Sequence, residues 1–267
     1  MTARKEVTIN VTIFTLTMLV ITLMPSVFQL FLSDELFQLV VTFYFFASVF
    51  LIYSTIRFFL NREGHGSLAS IGFNLDDKLV SHLSIGLLSG LGASMLVYML
   101  AFLFGGEIRY FEQINPEDVI GLAIITSLVS FKEELAYRGY MLSRMEQISG
   151  VVPAVILSST IFSLLHFSWW IPLGSVPLLP FILFVANLTI GGIVLACAYY
   201  WSSKGLWAPM GFHFMWNIVA YLMFPIYPRE DVPSPEIFQI EWGVTTIIGF
   251  FLGAVILYIL LKGSKRE

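Results

Sequence analysis

Long apolar runs alternate with short polar connections along the whole chain. A membrane-spanning helix needs about 20 apolar residues, with a lower limit near 17. Eight stretches meet that requirement: Val7–Leu32, Leu36–Leu60, Leu79–Phe104, Val119–Ser143, Val151–Phe167, Pro180–Trp201, Leu206–Phe224 and Trp242–Leu261. Gly, Pro, Asp and Asn gather in the connections, notably Asn61–Lys78, Gly105–Asp118 and Pro225–Glu241. No fixed-period repeat is visible. The first stretch is too long for the roughly 7–15 residue apolar core of a signal peptide, and no small-residue cleavage site follows, so it reads as a retained span. The pattern predicts an all-α, polytopic membrane protein of about eight transmembrane helices, forming one membrane domain over residues 1–267.

Composition agrees with that pattern. Of the 267 residues 57% are hydrophobic, 16% aromatic and only 12% charged, against about 25% charged in an average soluble domain. Too few charges are available to cover a soluble globule or to keep the chain disordered. A net charge of -4 gives no reason to invoke nucleic acid. The single cysteine, Cys197, excludes an intrachain disulfide. Basic residues add orientation. With eight spans, Arg4, Lys5, Arg57, Arg62, Lys78, Arg144, Lys204, Lys262, Lys265 and Arg266 fall at one end, and only Arg109 and Arg229 at the other. Positive charge is retained on the cytoplasmic side, so both termini are expected in the cytoplasm of a cell-membrane protein. Gly86/Gly90 and Gly249/Gly253 form small-residue pairs that permit close helix approach, and Trp169, Trp170, Trp201, Trp207 and Trp242 read as interface anchors.

Against this apolar background the intramembrane ionisable residues stand out, because each costs about 2.5–3.5 kcal/mol or more at the bilayer centre and is usually functional. Only two of the 18 acidic residues fall inside a predicted span, Glu133 and Glu134. Arg138 follows Glu134 by one helical turn and can neutralise it. Glu133 is rotated about 100° away and is free to face something else. His166 lies in the fifth span; His213 and Asn217, four apart, share a face of the seventh. At ~1.5 Å per residue from the cytoplasmic end, Glu133 is ~15 Å deep, His213 ~10 Å, Asn217 ~16 Å and His166 ~20 Å, so all four can meet in one layer. Peptide hydrolysis suits such a set. A carboxylate takes a proton from water, an imidazole orients that water, and His213 and Asn217 donate to a developing oxyanion. Zn²⁺ held by Glu133, His166 and His213 is the alternative. A proton relay in a transporter is another, weakened by the lack of a repeat. A peptide-binding scaffold without catalysis is a third.

The residues also carry a resemblance. EELAYRG (Glu133–Gly139) resembles the EExxxR motif of the CPBP family, which includes type II CAAX prenyl endopeptidases and bacterial ABI-domain proteins. SSTIFSLLH (Ser158–His166) resembles its FxxxH motif, and LWAPMGFHFMWN (Leu206–Asn217) its HxxxN motif. They occur in family order on three separate predicted helices, within a core of about residues 118–224. The resemblance implies an intramembrane endopeptidase that cuts near the C-terminus of a peptide or lipidated protein, with its site facing the cytoplasm. It implies that Glu133 and His166 activate water, that His213 and Asn217 stabilise the oxyanion, and that Glu134 and Arg138 hold the fourth helix. Both metallo and metal-free glutamate mechanisms are proposed for the family, and the metal-free one is expected here.

Overall fold

In lipid every backbone N–H and C=O must be satisfied within its own segment, so an apolar chain of this kind folds as helices. The structure, a computed structural model, describes residues 3–166 and 176–263 and contains no strand among them. The helices are α1 (Ala3–Gln29), α2 (Asp34–Arg62), α3 (Leu79–Phe104), α4 (Pro116–Glu133), a π-helical stretch (Glu134–Leu142), α5 (Ser143–Ser149), α6 (Val151–Leu165), α7 (Leu178–Trp201), α8 (Trp207–Met223), the short α9 (Pro235–Phe238) and α10 (Thr245–Gly263). Phe167 at the end of the predicted fifth span, the anchors Trp169 and Trp170, and the basic residues Lys265 and Arg266 lie outside the described residues.

Five helices, α1, α2, α3, α7 and α10, are long and apolar enough to cross a membrane. The other three predicted spans correspond to the α4–π–α5 run, the 15-residue α6 and α8. These carry the three motifs, and their polar residues or short length keep them below that standard. α2 turns Phe43, Phe46, Phe50 and Phe58 outward, as lipid contact requires.

The small-residue pairs set the helix packing. A Cβ on Gly90 would stand 2.5 Å from the Phe212 carbonyl oxygen, and one on Gly86 would strike the Ala208 carbonyl. The first pair therefore brings α3 against the backbone of α8. The second pair docks α10 on α3: a Cβ on Gly249 would lie 2.8 Å from the Ala93 carbonyl, and one on Gly253 2.9 Å from the Ala93 methyl. α3 is thus held between α8 and α10. Gly90→Leu is expected to cost about 3 kcal/mol of stability by forcing the helices apart, seen as a lower unfolding temperature in detergent.

Trp242 corrects one expectation. It is buried and stacks on Phe184 at 4.2 Å, so it is a packing residue of the 225–244 connection and not an interface anchor. A buried polar network was also not foreseen: Glu63 receives Arg144 Nε at 2.8 Å and the Tyr140 hydroxyl at 2.6 Å, with Asn10 Nδ2 at 3.2 Å. It ties α1 and the end of α2 to the helix that bears Glu133.

Candidate active site

Glu133 lies midway along the continuous helical run 116–149, where α-helix gives way to π-helix. Such π-helical segments are frequent at functional sites. The wider turn begins at the second of the paired acids, Glu134, and changes the phase of what comes after it. Lys132 points away, with Nζ 3.3 Å from Ser48 Oγ and over the Phe45 ring at 4.7 Å. It remains within electrostatic reach of Glu133.

Glu134 is fully buried and holds the site together. Its Oε1 accepts from Arg138 NH1 at 3.0 Å and from His213 Nδ1 at 2.8 Å. Arg138 also donates to the Gly192 carbonyl at 3.3 Å and lies 4.3 Å from the centre of the Phe162 ring. Glycine at 192 also lets α7 close on α6: a Cβ there would lie 2.8 Å from Ser159 Cβ. The role expected for the Glu134–Arg138 pair, positioning of the helix, is compatible with these contacts, which extend further, to α6, α7 and α8.

Phe162 explains the FxxxH spacing physically. Its ring packs 4.3 Å from the His166 ring, and its carbonyl oxygen stands 2.7 Å from His166 Nδ1. A carbonyl only accepts, so Nδ1 carries the proton and Nε2 is turned elsewhere. His213 follows the same logic: the Glu134 carboxylate, already facing Arg138, accepts from its Nδ1. Both Nε2 atoms converge on one oxygen, Glu133 Oε2, at 3.4 Å from His166 and 3.8 Å from His213. That oxygen is buried and has no hydrogen-bond partner among the described residues. Asn217, one turn beyond His213, lines the same cavity, and no described residue takes its carboxamide.

The cavity has a volume of about 1070 Å³ and brings Glu133, His166, His213 and Asn217 to one space. Residues 115–219 match the family model described as type II CAAX prenyl endopeptidase Rce1-like. Over that stretch the chain is similar to this family. No curated protein matches it. Rce1-like proteins are proteases, and the matched stretch includes all three motifs while stopping short of the 225–244 connection. Sequence reading missed Glu241 in that connection, which also lines the cavity. The signal that could have found it is only its place just before an apolar run. Among the described residues no group of three or more His, Cys, Asp or Glu side chains is arranged to hold a metal ion. No step below is routed through a metal ion.

Proposed function

We propose that the chain is an intramembrane endopeptidase that hydrolyses a peptide bond near the C-terminus of a membrane-associated substrate of the CAAX type. The observation that carries this reading is the convergence of two imidazole Nε2 atoms on the unpartnered Glu133 Oε2. Two acceptors facing each other at 3.4 Å need a proton between them. A water donating to Glu133 and His166 meets that need and is poised as the nucleophile. Glu133 takes its proton as the water attacks the carbonyl carbon. Asn217 donates to the developing oxyanion. His213 joins it only when Nε2 carries a second proton, and Glu134 beside Nδ1 balances that charge. The tetrahedral adduct then collapses, and the proton on Glu133 passes to the departing nitrogen.

The test is cleavage of lipidated and plain C-terminal peptides by detergent-purified protein, comparing wild type with Glu133→Ala and His166→Ala. Loss in both variants supports the assignment, and cleavage retained by both removes it. No cleavage by wild type across a broad peptide set would favour the peptide-binding scaffold. Metal content and chelator sensitivity of the same sample decide whether zinc takes part.

Access bears on where the substrate comes from. The end of the bundle that carries most basic residues is laced shut: Lys204 pairs with Glu146 at 2.9 Å, Leu206 N–H bonds the Gly72 carbonyl at 3.0 Å, and Arg4 reaches the Ile148 carbonyl. The described cavity lining instead runs from Glu133 along α2 and α4, past Thr42, Gly121 and Ile125, to Gln113, Glu117 and Arg229 at the other end. The sequence expectation was a site facing the cytoplasm. With the termini in the cytoplasm, this lining favours entry from the bilayer or from the opposite face. In a Cys197→Ser background, Gln113→Cys is expected to react with a membrane-impermeant maleimide in intact cells, and Asp77→Cys only after permeabilisation. The reverse pattern would invert the chain and turn the cavity toward the cytoplasm.

A further inference from the structure

Glu241 is held in an unfavourable way at two levels. Its backbone has φ +68°, in the left-handed region that a non-glycine residue adopts only under strain. The conformation is pinned from both sides, with its N–H on Thr246 Oγ1 at 2.9 Å and its carbonyl receiving Asn187 Nδ2 at 2.9 Å. The side chain is half-buried, and no Lys or Arg among the described residues forms an ion pair with it. Its carboxylate instead faces the Trp216 indole N–H and lies within electrostatic reach of His166, His213 and Glu133. Trp216 is one residue before Asn217, and its ring is clamped against Phe250 at 4.1 Å. A strained backbone and a carboxylate without a cation persist only when the surroundings enforce them, and such features cluster at functional sites.

Donor and acceptor chemistry says what a third carboxylate adds. A scissile peptide group presents an acceptor, its carbonyl oxygen, and a donor, its N–H. Asn217 and a doubly protonated His213 are donors and suit the oxyanion. Glu133 and His166 are committed to the water. Of the cavity groups near them, Glu241 is an acceptor without such a task, and it lies outside the stretch that matches the family model.

We infer that Glu241 is a further catalytic residue, which accepts the N–H of the scissile bond and stabilises the leaving nitrogen as it gains its proton and positive charge. The balance of the reaction is unchanged. Water adds to the carbonyl carbon, its proton moves through Glu133 to nitrogen, the C–N bond breaks, and Glu241 neither gains nor loses an electron pair. The inference rests on the peptidase reading above.

A matched pair of substrates, one with the scissile amide and one with an ester in its place, separates this role from a structural one. An ester leaving group has no N–H and acquires no cationic nitrogen. Glu241→Gln is expected to lower kcat for the amide by roughly 10- to 100-fold, the scale of a lost hydrogen bond to a charged group, and to leave ester hydrolysis within about twofold. Glu241→Asp should recover part of the amide rate. Trp216→Phe, which removes the aiming N–H but keeps a ring against Phe250, should show a weaker form of the same split. Equal losses on both substrates, or no loss on either, overturn the inference while the peptidase reading stands. A wild type that cleaves neither substrate overturns the peptidase reading, and the inference falls with it.

Discussion

Glu133→Gln is expected to reduce cleavage by about 10²- to 10⁴-fold, the usual contribution of a positioned general base, while leaving the unfolding temperature nearly unchanged. The two halves of that expectation come from one observation. Glu133 Oε2 is buried and accepts no hydrogen bond from a described residue, so its replacement breaks none there. The amide keeps the shape of the side chain and removes only the basicity. A structural reading of Glu133 would need a partner whose loss matters. The nearest candidate in sequence, Lys132, is turned to Ser48 and Phe45 on α2. The measurement is a paired one, turnover of a C-terminal peptide and thermal unfolding on the same preparation. A variant that loses activity only because it unfolds would show both falling together.

The contrast between Glu133 and its neighbour marks how far sequence can be read here. Depth and helical phase bring Glu133, His166, His213 and Asn217 together from the sequence alone, because each sits inside an apolar run where position along a helix translates into height. The same arithmetic gives the Glu134–Arg138 pair. It cannot give the acceptor roles of Phe162 and Gly192, whose backbone carbonyls hold His166 and Arg138, because backbone geometry at a packed contact leaves no residue-type signature. The π-helix is hidden for a related reason: an extra residue per turn has no hydrophobic period of its own over nine residues. Glu241 is hidden because a loop residue carries neither depth nor phase; only the fold of the 225–244 connection, fixed by Asn187 and Thr246, brings it back to the cavity. The glycine pairs were legible as close-contact sites, but their partners were not, since the sequence does not say that the first pair meets α8 and the second meets α3.

Arg138→Leu is expected to be the most damaging single substitution to the fold. It leaves Glu134 buried without its cation, and breaking a buried pair by removing one partner costs about 3–5 kcal/mol. The Gly192 carbonyl and the face of Phe162 lose their contact with the guanidinium at the same time. The expected readout is little or no monodisperse protein in detergent. Replacing both members, Glu134→Leu with Arg138→Leu, removes the uncompensated charge and should recover much of the stability, since a buried ion pair contributes little net against apolar residues of similar volume. Activity should not return with it. His213 Nδ1 would lose the Glu134 oxygen 2.8 Å away that fixes its proton and its ring, and Nε2 would no longer be directed at Glu133. A double variant that is stable but inactive would assign the pair to orienting His213; one that is stable and fully active would show that His213 needs no such partner, and that the pair serves only to pack the helices.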